Sequence, residues 1–321
     1  MTAPSQLPGM NTIPAIHTDL GEGIDLGYTV EVRTSTPFLP KVAFVTITLA
    51  SIAGAIFTGR SFGLGLGLGL MRWFILWTMA LTLGFAAWRT MYLRTTEKGL
   101  SDERMRPLAD SALAHARPIS RILAAFATVS TAAVAFVPYL STTQQLWLMI
   151  ATGATAALLW RGVATRRSGA VIVAGAAAQA AMWGSFDAAA GLPEVVRTLH
   201  LVAFGLWLGG ALWNLGVAIP AGRDHPTIEA VIALARQLQR FRWVVRFAMP
   251  TVIITGLIQT DVYRAMPADW WMSMPGILIP AKVLLIVALI GIFITCPLYR
   301  QCSPVTGVCR VEDLDDTAPD R

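Results

Sequence analysis

Long apolar runs alternate with short polar gaps along this chain, and clusters of arginine fall in every second gap. About 20 apolar residues at 1.5 Å rise cross the hydrocarbon core of a bilayer, so runs of that length read as spanning helices. About eight are predicted, over residues 42–59, 70–90, 119–140, 144–162, 168–187, 197–219, 244–264 and 277–299. The fourth and fifth are rich in alanine, which suits close helix packing in lipid. The expected fold is all-α, a polytopic transmembrane helix bundle.

The basic residues orient it. Arg94, Lys98, Arg104, Arg106 and Arg117 separate the second and third runs. Arg161, Arg166 and Arg167 form the next cluster, and Arg223, Arg236, Arg240, Arg242 and Arg246 the third. The intervening gaps are poor: Arg60 and Arg72, then Ser141–Gln144, then Arg197, then Arg264. Cytoplasmic loops collect lysine and arginine, so this alternation places both termini in the cytoplasm. Four regions follow. They are a polar N-terminal arm (1–40), spans one to five (41–190), a second membrane region (191–300) and a cytoplasmic tail (301–321). The arm is acidic (Asp19, Glu22, Asp25, Glu31) and has no apolar core segment, so no cleavable signal peptide is expected.

Two gaps, 94–118 and 220–243, are long enough for cytoplasmic helices. In the second, Ile228, Ile232 and Leu238 fall near one face beside Arg236 and Arg240, which reads as an amphipathic helix on the inner leaflet. The alternative is a plain continuation of the seventh span. The run FGLGLGLGL at 62–70 departs from the dinucleotide-binding fingerprint, since position 68 is leucine. It reads as a flexible lead-in to the second span.

Composition agrees with a membrane chain. Hydrophobic residues make up 55% and charged residues 14%, with a mean hydropathy of +0.59. Soluble domains carry about a quarter charged residues. The formal charge of +6 is therefore the product of cytoplasmic loops and no sign of nucleic-acid binding. Enzyme signatures are missing: there is no Ser/His/Asp set, no H-E-x-x-H and no P-loop. No enzyme activity is expected.

Candidate chemistry lies in the second half. Of the four histidines, His200 alone falls within a span, and a coordinating residue at that depth is a functional hypothesis by default. The segment before the last span holds Met266, Met272 and Met274 with Trp270 and Trp271. Thioethers are soft ligands suited to Cu(I); the competing reading is an aromatic belt with methionine as filler. Cys296, Cys302 and Cys309 sit at or beyond the end of the last span. Their spacing is no zinc signature, though thiolates suit soft metals. Asp187, Asp261 and Lys282 are charges at similar depth, and Asp261 is the expected partner of Lys282.

Three blocks then stand in order: LHLVAFGLWLGGALWNL, RFRWVVRFAMPTVIITGLIQT and GILIPAKVLLIVALIG. Over about residues 197–300 the chain resembles the copper-resistance D (CopD) family of bacterial membrane proteins. The resemblance picks out His200, Trp207, Gly209, Gly210, Arg240, Phe241, Thr255, Gly256 and Lys282. It implies copper handling, with uptake across the inner membrane as the leading expectation. The route would run from the methionines outside, past His200, to the cysteines inside. One alternative is a haem b or quinone-reactive redox subunit, disfavoured for haem because a second histidine ligand is missing at suitable depth. Another is an accessory subunit of a larger membrane complex, docked through the acidic arm.

Overall fold

The computed structural model describes residues 31–32, 38–61, 63–92, 100, 102–188, 191–264, 266–295 and 305–306. Every predicted apolar run lies within or largely within a helix. The helices are α1 (Phe38–Ser61), α2 (Leu66–Tyr92), α3 (Asp102–Val134), α4 (Thr142–Arg161), α5 (Arg166–Asp187), α6 (Leu192–Trp213), α7 (Ile219–Asp224), α8 (Ile228–Thr260), α9 (Ala268–Trp271) and α10 (Met274–Thr295). Besides these, β1 (Glu31–Val32) pairs antiparallel with β2 (Val305–Thr306) over two residues each.

Four helical stretches among the described residues are long and apolar enough to cross a membrane: Leu66–Met91, Arg166–Asp187, Leu192–Asp224 and Glu229–Thr260. Shorter apolar stretches run over Phe44–Phe57 and Gly276–Ala288. The outside of the bundle is apolar too. Ile122 and Val129 on α3, Trp147 and Ile150 on α4, Phe247 and Leu257 on α8, and Leu284 and Val287 on α10 are all exposed. A water-soluble surface rarely carries large apolar side chains over so many neighbouring elements. The chain is a helical membrane protein.

Local chemistry sets the helix ends. Ser141 starts α4 with a reciprocal cap: its hydroxyl accepts from the Gln144 amide N–H, while the Gln144 side chain accepts from the Ser141 N–H. Thr165 and Ser168 do the same for α5. Gly191, at φ +94°, precedes α6, with Pro193 in the first turn.

α2 is the centre of the bundle and packs against α1, α3, α5 and α6. Its tightest crossing is with α6, where glycines let the backbones meet. A Cβ built on Gly84 would lie 2.0 Å from the Gly205 carbonyl oxygen, and one on Gly209 would lie 2.4 Å from Gly84 Cα. Gly205 and Gly209 have the small-x-x-x-small spacing that suits such crossings in lipid. Gly210 faces Trp88 and Phe241, whose rings meet edge to face at 5.1 Å. Trp88 Nε1 donates to the Leu206 carbonyl at 2.9 Å and secures the same crossing.

Three sequence expectations change. From Asp102 to Val134 the end of the gap at 94–118 and most of the third span form one helix, α3, which runs through Pro107 and Pro118. Its buried stripe of Ala112, Ala116, Ser120 and Leu123 continues across Pro118, so packing outweighs the lost backbone bond. The segment at 220–243 is no separate surface helix either. From Ile228 it is the first half of α8, continuous with the seventh span. Its buried residues are Ala230, Val231, Ala233, Leu234 and Gln237, while Ile232 and Leu238 are only half-buried. The packed face thus mixes alanine and glutamine with Val231 and Leu234. The Gly/Leu run is helical from Leu66, and a Cβ on Gly59 of α1 would lie 3.2 Å from Gly69 Cα. Within the run, Gly69 serves this close approach to α1, while a Cβ on Gly65 or Gly67 would meet nothing within 4 Å.

α6 does not stop at Trp213. A five-residue π turn, Asn214–Ala218, joins it to α7, and the Asn214 side-chain amide donates to the Gly210 carbonyl at 2.9 Å.

Candidate binding cavity

A cavity of about 120 Å³ lies between α1, α2, α6, α8 and α10. Its walls are mostly apolar and aromatic, with Trp73 and Trp77 from α2, and Phe204 and Trp207 from α6. Its polar residues are Ser51, Arg72, Arg197, His200 and Lys282.

Each polar group arrives for a local reason. Arg197 and His200 are three residues apart on α6 and therefore share a face. Thr255, one of the buried residues of α8, lies against His200, with Thr255 Oγ1 and His200 Nδ1 at 2.9 Å. The Thr255 hydroxyl donates to the Thr251 carbonyl one turn back. Its oxygen is thus left to accept, and Nδ1 carries the proton. Nε2 then holds the lone pair of a neutral imidazole. Gly256 leaves room for the ring, since a Cβ there would lie 3.4 Å from His200 Cε1. Lys282 comes from α10, and its Nζ lies 3.0 Å from where a Cβ on Gly54 would stand.

A buried ion cluster closes one side. Asp187, at the end of α5, is 2% exposed and pairs with both Arg72 and Arg197. The Arg197 contact is 3.2 Å. The Tyr139 hydroxyl donates to Asp187 Oδ1 at 3.0 Å and accepts from Arg72 Nε at 2.8 Å. Arg197 also donates to the Gln259 side chain at 2.9 Å. The carboxylate is thus shared by two guanidinium groups and a phenol.

Sequence-predicted residues divide accordingly. His200, Trp207 and Lys282 line one cavity, Thr255 and Gly256 support His200, and Asp187 belongs to the adjoining ion cluster. Asp261 does not pair with Lys282. It lies 59% exposed in the turn after α8 and meets Arg264, three residues on, at 2.8 Å. Such an exposed pair contributes little, so neutralising Asp261 should leave thermal stability nearly unchanged. A melting midpoint several degrees below the parent protein would count against this placement. Met266 and Met272 are exposed on the connection from α8 to α10. Trp270 is occupied by other rings: it stacks on Tyr263 at 5.4 Å and meets Phe57 of α1 edge-on. Phe57, Tyr263 and Trp270 thus form an aromatic cluster beside the methionines. The Met274 side chain and Cys296, Cys302 and Cys309 lie outside the described residues.

Arg72, Arg197, Tyr139 and Trp77 were missed as site residues. The charge pattern counts Arg72 and Arg197 with the poor gaps, yet both fall inside the bounds of spans two and six. A cation within a span is the signal that finds them.

In comparisons of sequence and of structure, no family model, no curated protein and no solved structure matches this chain.

Proposed function

We propose that this chain is a copper-handling protein of the CopD type, with about eight spans, both termini in the cytoplasm, and a place in the bacterial inner membrane. Its proposed role is uptake of copper. One observation carries the reading. His200 and Trp207, Thr255 and Gly256, and Lys282 come from three separate motif blocks, and they meet at or beside a single cavity. This convergence supports the reading, although Gly209, Gly210, Arg240 and Phe241 of the same blocks are not among the residues lining the cavity.

The orientation of His200 supports a ligand role. Thr255 accepts the Nδ1–H hydrogen bond and leaves the Nε2 lone pair free, the arrangement that outer partners impose on metal-binding histidines. Arg197 and Lys282 oppose a bare cation at that point, so copper would pass it together with anionic ligands. His200→Ala should abolish copper-dependent accumulation while the protein remains in the membrane. Normal copper accumulation in that variant would remove His200 from the path.

A second reading, a quinone-reactive subunit, is favoured by the tryptophan walls and the hydrogen-bond donors around the cavity. Organic extraction of the purified protein distinguishes the two: stoichiometric quinone would favour the redox subunit over copper uptake.

A further inference from the structure

The cavity has more donors than acceptors and more positive charge than negative. Arg72, Arg197 and Lys282 line it, against the single carboxylate that the described residues bring to it, Asp187. Asp187 is engaged by Arg72, Arg197 and Tyr139, and no carboxylate among the described residues pairs with Lys282. Two donors are buried without an acceptor, Arg197 Nε and Trp77 Nε1. The Ser51 hydroxyl offers no relief, because it receives Trp73 Nε1 at 2.8 Å and donates to the Thr48 carbonyl at 2.7 Å. Buried donors and charges are costly unless they find partners. Polar donors set in an apolar, aromatic chamber describe a site for a ligand with an accepting head and an apolar body. The volume, about 120 Å³, is several times the ~30 Å³ share of one water.

We propose that this cavity binds a small organic carboxylate, its oxygens toward Lys282, Arg197 and Trp77 and its apolar body against Trp73, Trp207 and Phe204. The charge argues for an anion over a neutral carbonyl compound, since the net positive charge of the chamber is left unbalanced by a neutral guest. The inference goes beyond the copper reading and does not rest on it. If both hold, the carboxylate supplies the negative charge that lets a copper ion approach His200 between two cations.

The test is a calorimetric titration of the detergent-purified full-length protein, free of copper, with benzoate and with benzamide, which keeps the ring and removes the charge. Benzoate should saturate near one per chain, and benzamide should bind at least tenfold more weakly. Trp77→Phe keeps an aromatic wall and deletes one donor, and Lys282→Met keeps length and deletes the charge. Each should weaken benzoate about tenfold, the scale of one hydrogen bond to a charged group. Asp261→Asn, outside the cavity, should leave benzoate affinity unchanged. Absence of saturable benzoate binding, equal affinity for benzamide, or parental affinity in either folded variant would overturn the proposal. Copper accumulation by the same variants is measured separately, so the two readings fail or stand independently.

Discussion

Gly84→Ala should remove most of the folded protein. Alanine in a helix interior normally gains about 0.5–1 kcal/mol over glycine, so the expected sign is opposite to the intrinsic one. The reason is the crossing of α2 and α6, where the new Cβ would stand 2.0 Å from the Gly205 carbonyl oxygen. Neither helix backbone has a flexible end to move aside, so the helices must separate. Separation would disturb Trp88, Trp213 and Phe85, all fully buried beside this crossing. Overpacking costs about 1–3 kcal/mol in a well-packed core and more where backbone meets backbone. Gly153→Ala on α4 is the control, because its Cβ would meet Thr131 Cγ2 at an ordinary 3.6 Å. Yield and unfolding midpoint of the two variants in detergent should move in opposite directions. A Gly84→Ala protein as stable as Gly153→Ala would mean that the helices do not cross here.

Asp187→Asn should be the most damaging change of a single charge. It leaves two guanidinium groups facing each other with their shared anion gone, and the carboxylate it removes is 2% exposed. Removing one partner from a buried ion pair costs roughly 3–5 kcal/mol, much of it the burial of the charge left behind. The second substitution Arg72→Gln restores the original net charge of the cluster, so Asp187→Asn with Arg72→Gln should recover part of the loss. Thermal midpoints of the parent, both single variants and the double variant give the coupling directly. If the double variant loses as much as the sum of the singles, the cluster is not an electrostatic unit.

The contrast between this cluster and the expected Asp261–Lys282 pair shows what a linear pattern can and cannot give. Apolar run length located the helices, because burial in lipid is a property of each segment alone. Depth made Asp187, Asp261 and Lys282 equivalent, for the same reason. What separates them is rotation about each helix axis and the neighbour that rotation meets. Arg72 and Asp187 are 115 residues apart in sequence, and nothing local to either predicts the other. Asp261 had a nearer partner, Arg264, available within one turn. His200, Thr255 and Lys282 were found as a set because the resemblance supplied them as a set. That the segment from Ile228 onward continues into the seventh span is not legible in the sequence, because its buried face includes Ala230, Ala233 and Gln237, whose hydrophobic signal is weak and does not mark a packed helix.

The π turn at Asn214–Ala218 takes up one surplus residue within one continuous rod. Upstream, α6 aims Arg197, His200 and Trp207 into the cavity. Downstream, α7 packs against α3, and a Cβ on Gly222 would stand 2.2 Å from Leu234 Cδ1 of α8. A π turn holds one residue more than the α-helical path it replaces. Removing one residue from 214–218 would therefore restore the plain α-helical path with both ends held in place. Removing one residue from the regular part of α6 would instead turn the two ends relative to each other by about 100°, the α-helical step of 3.6 residues per turn, and carry His200 off the cavity wall. A single-residue deletion within 214–218 should thus be tolerated far better than one between Leu201 and Trp213.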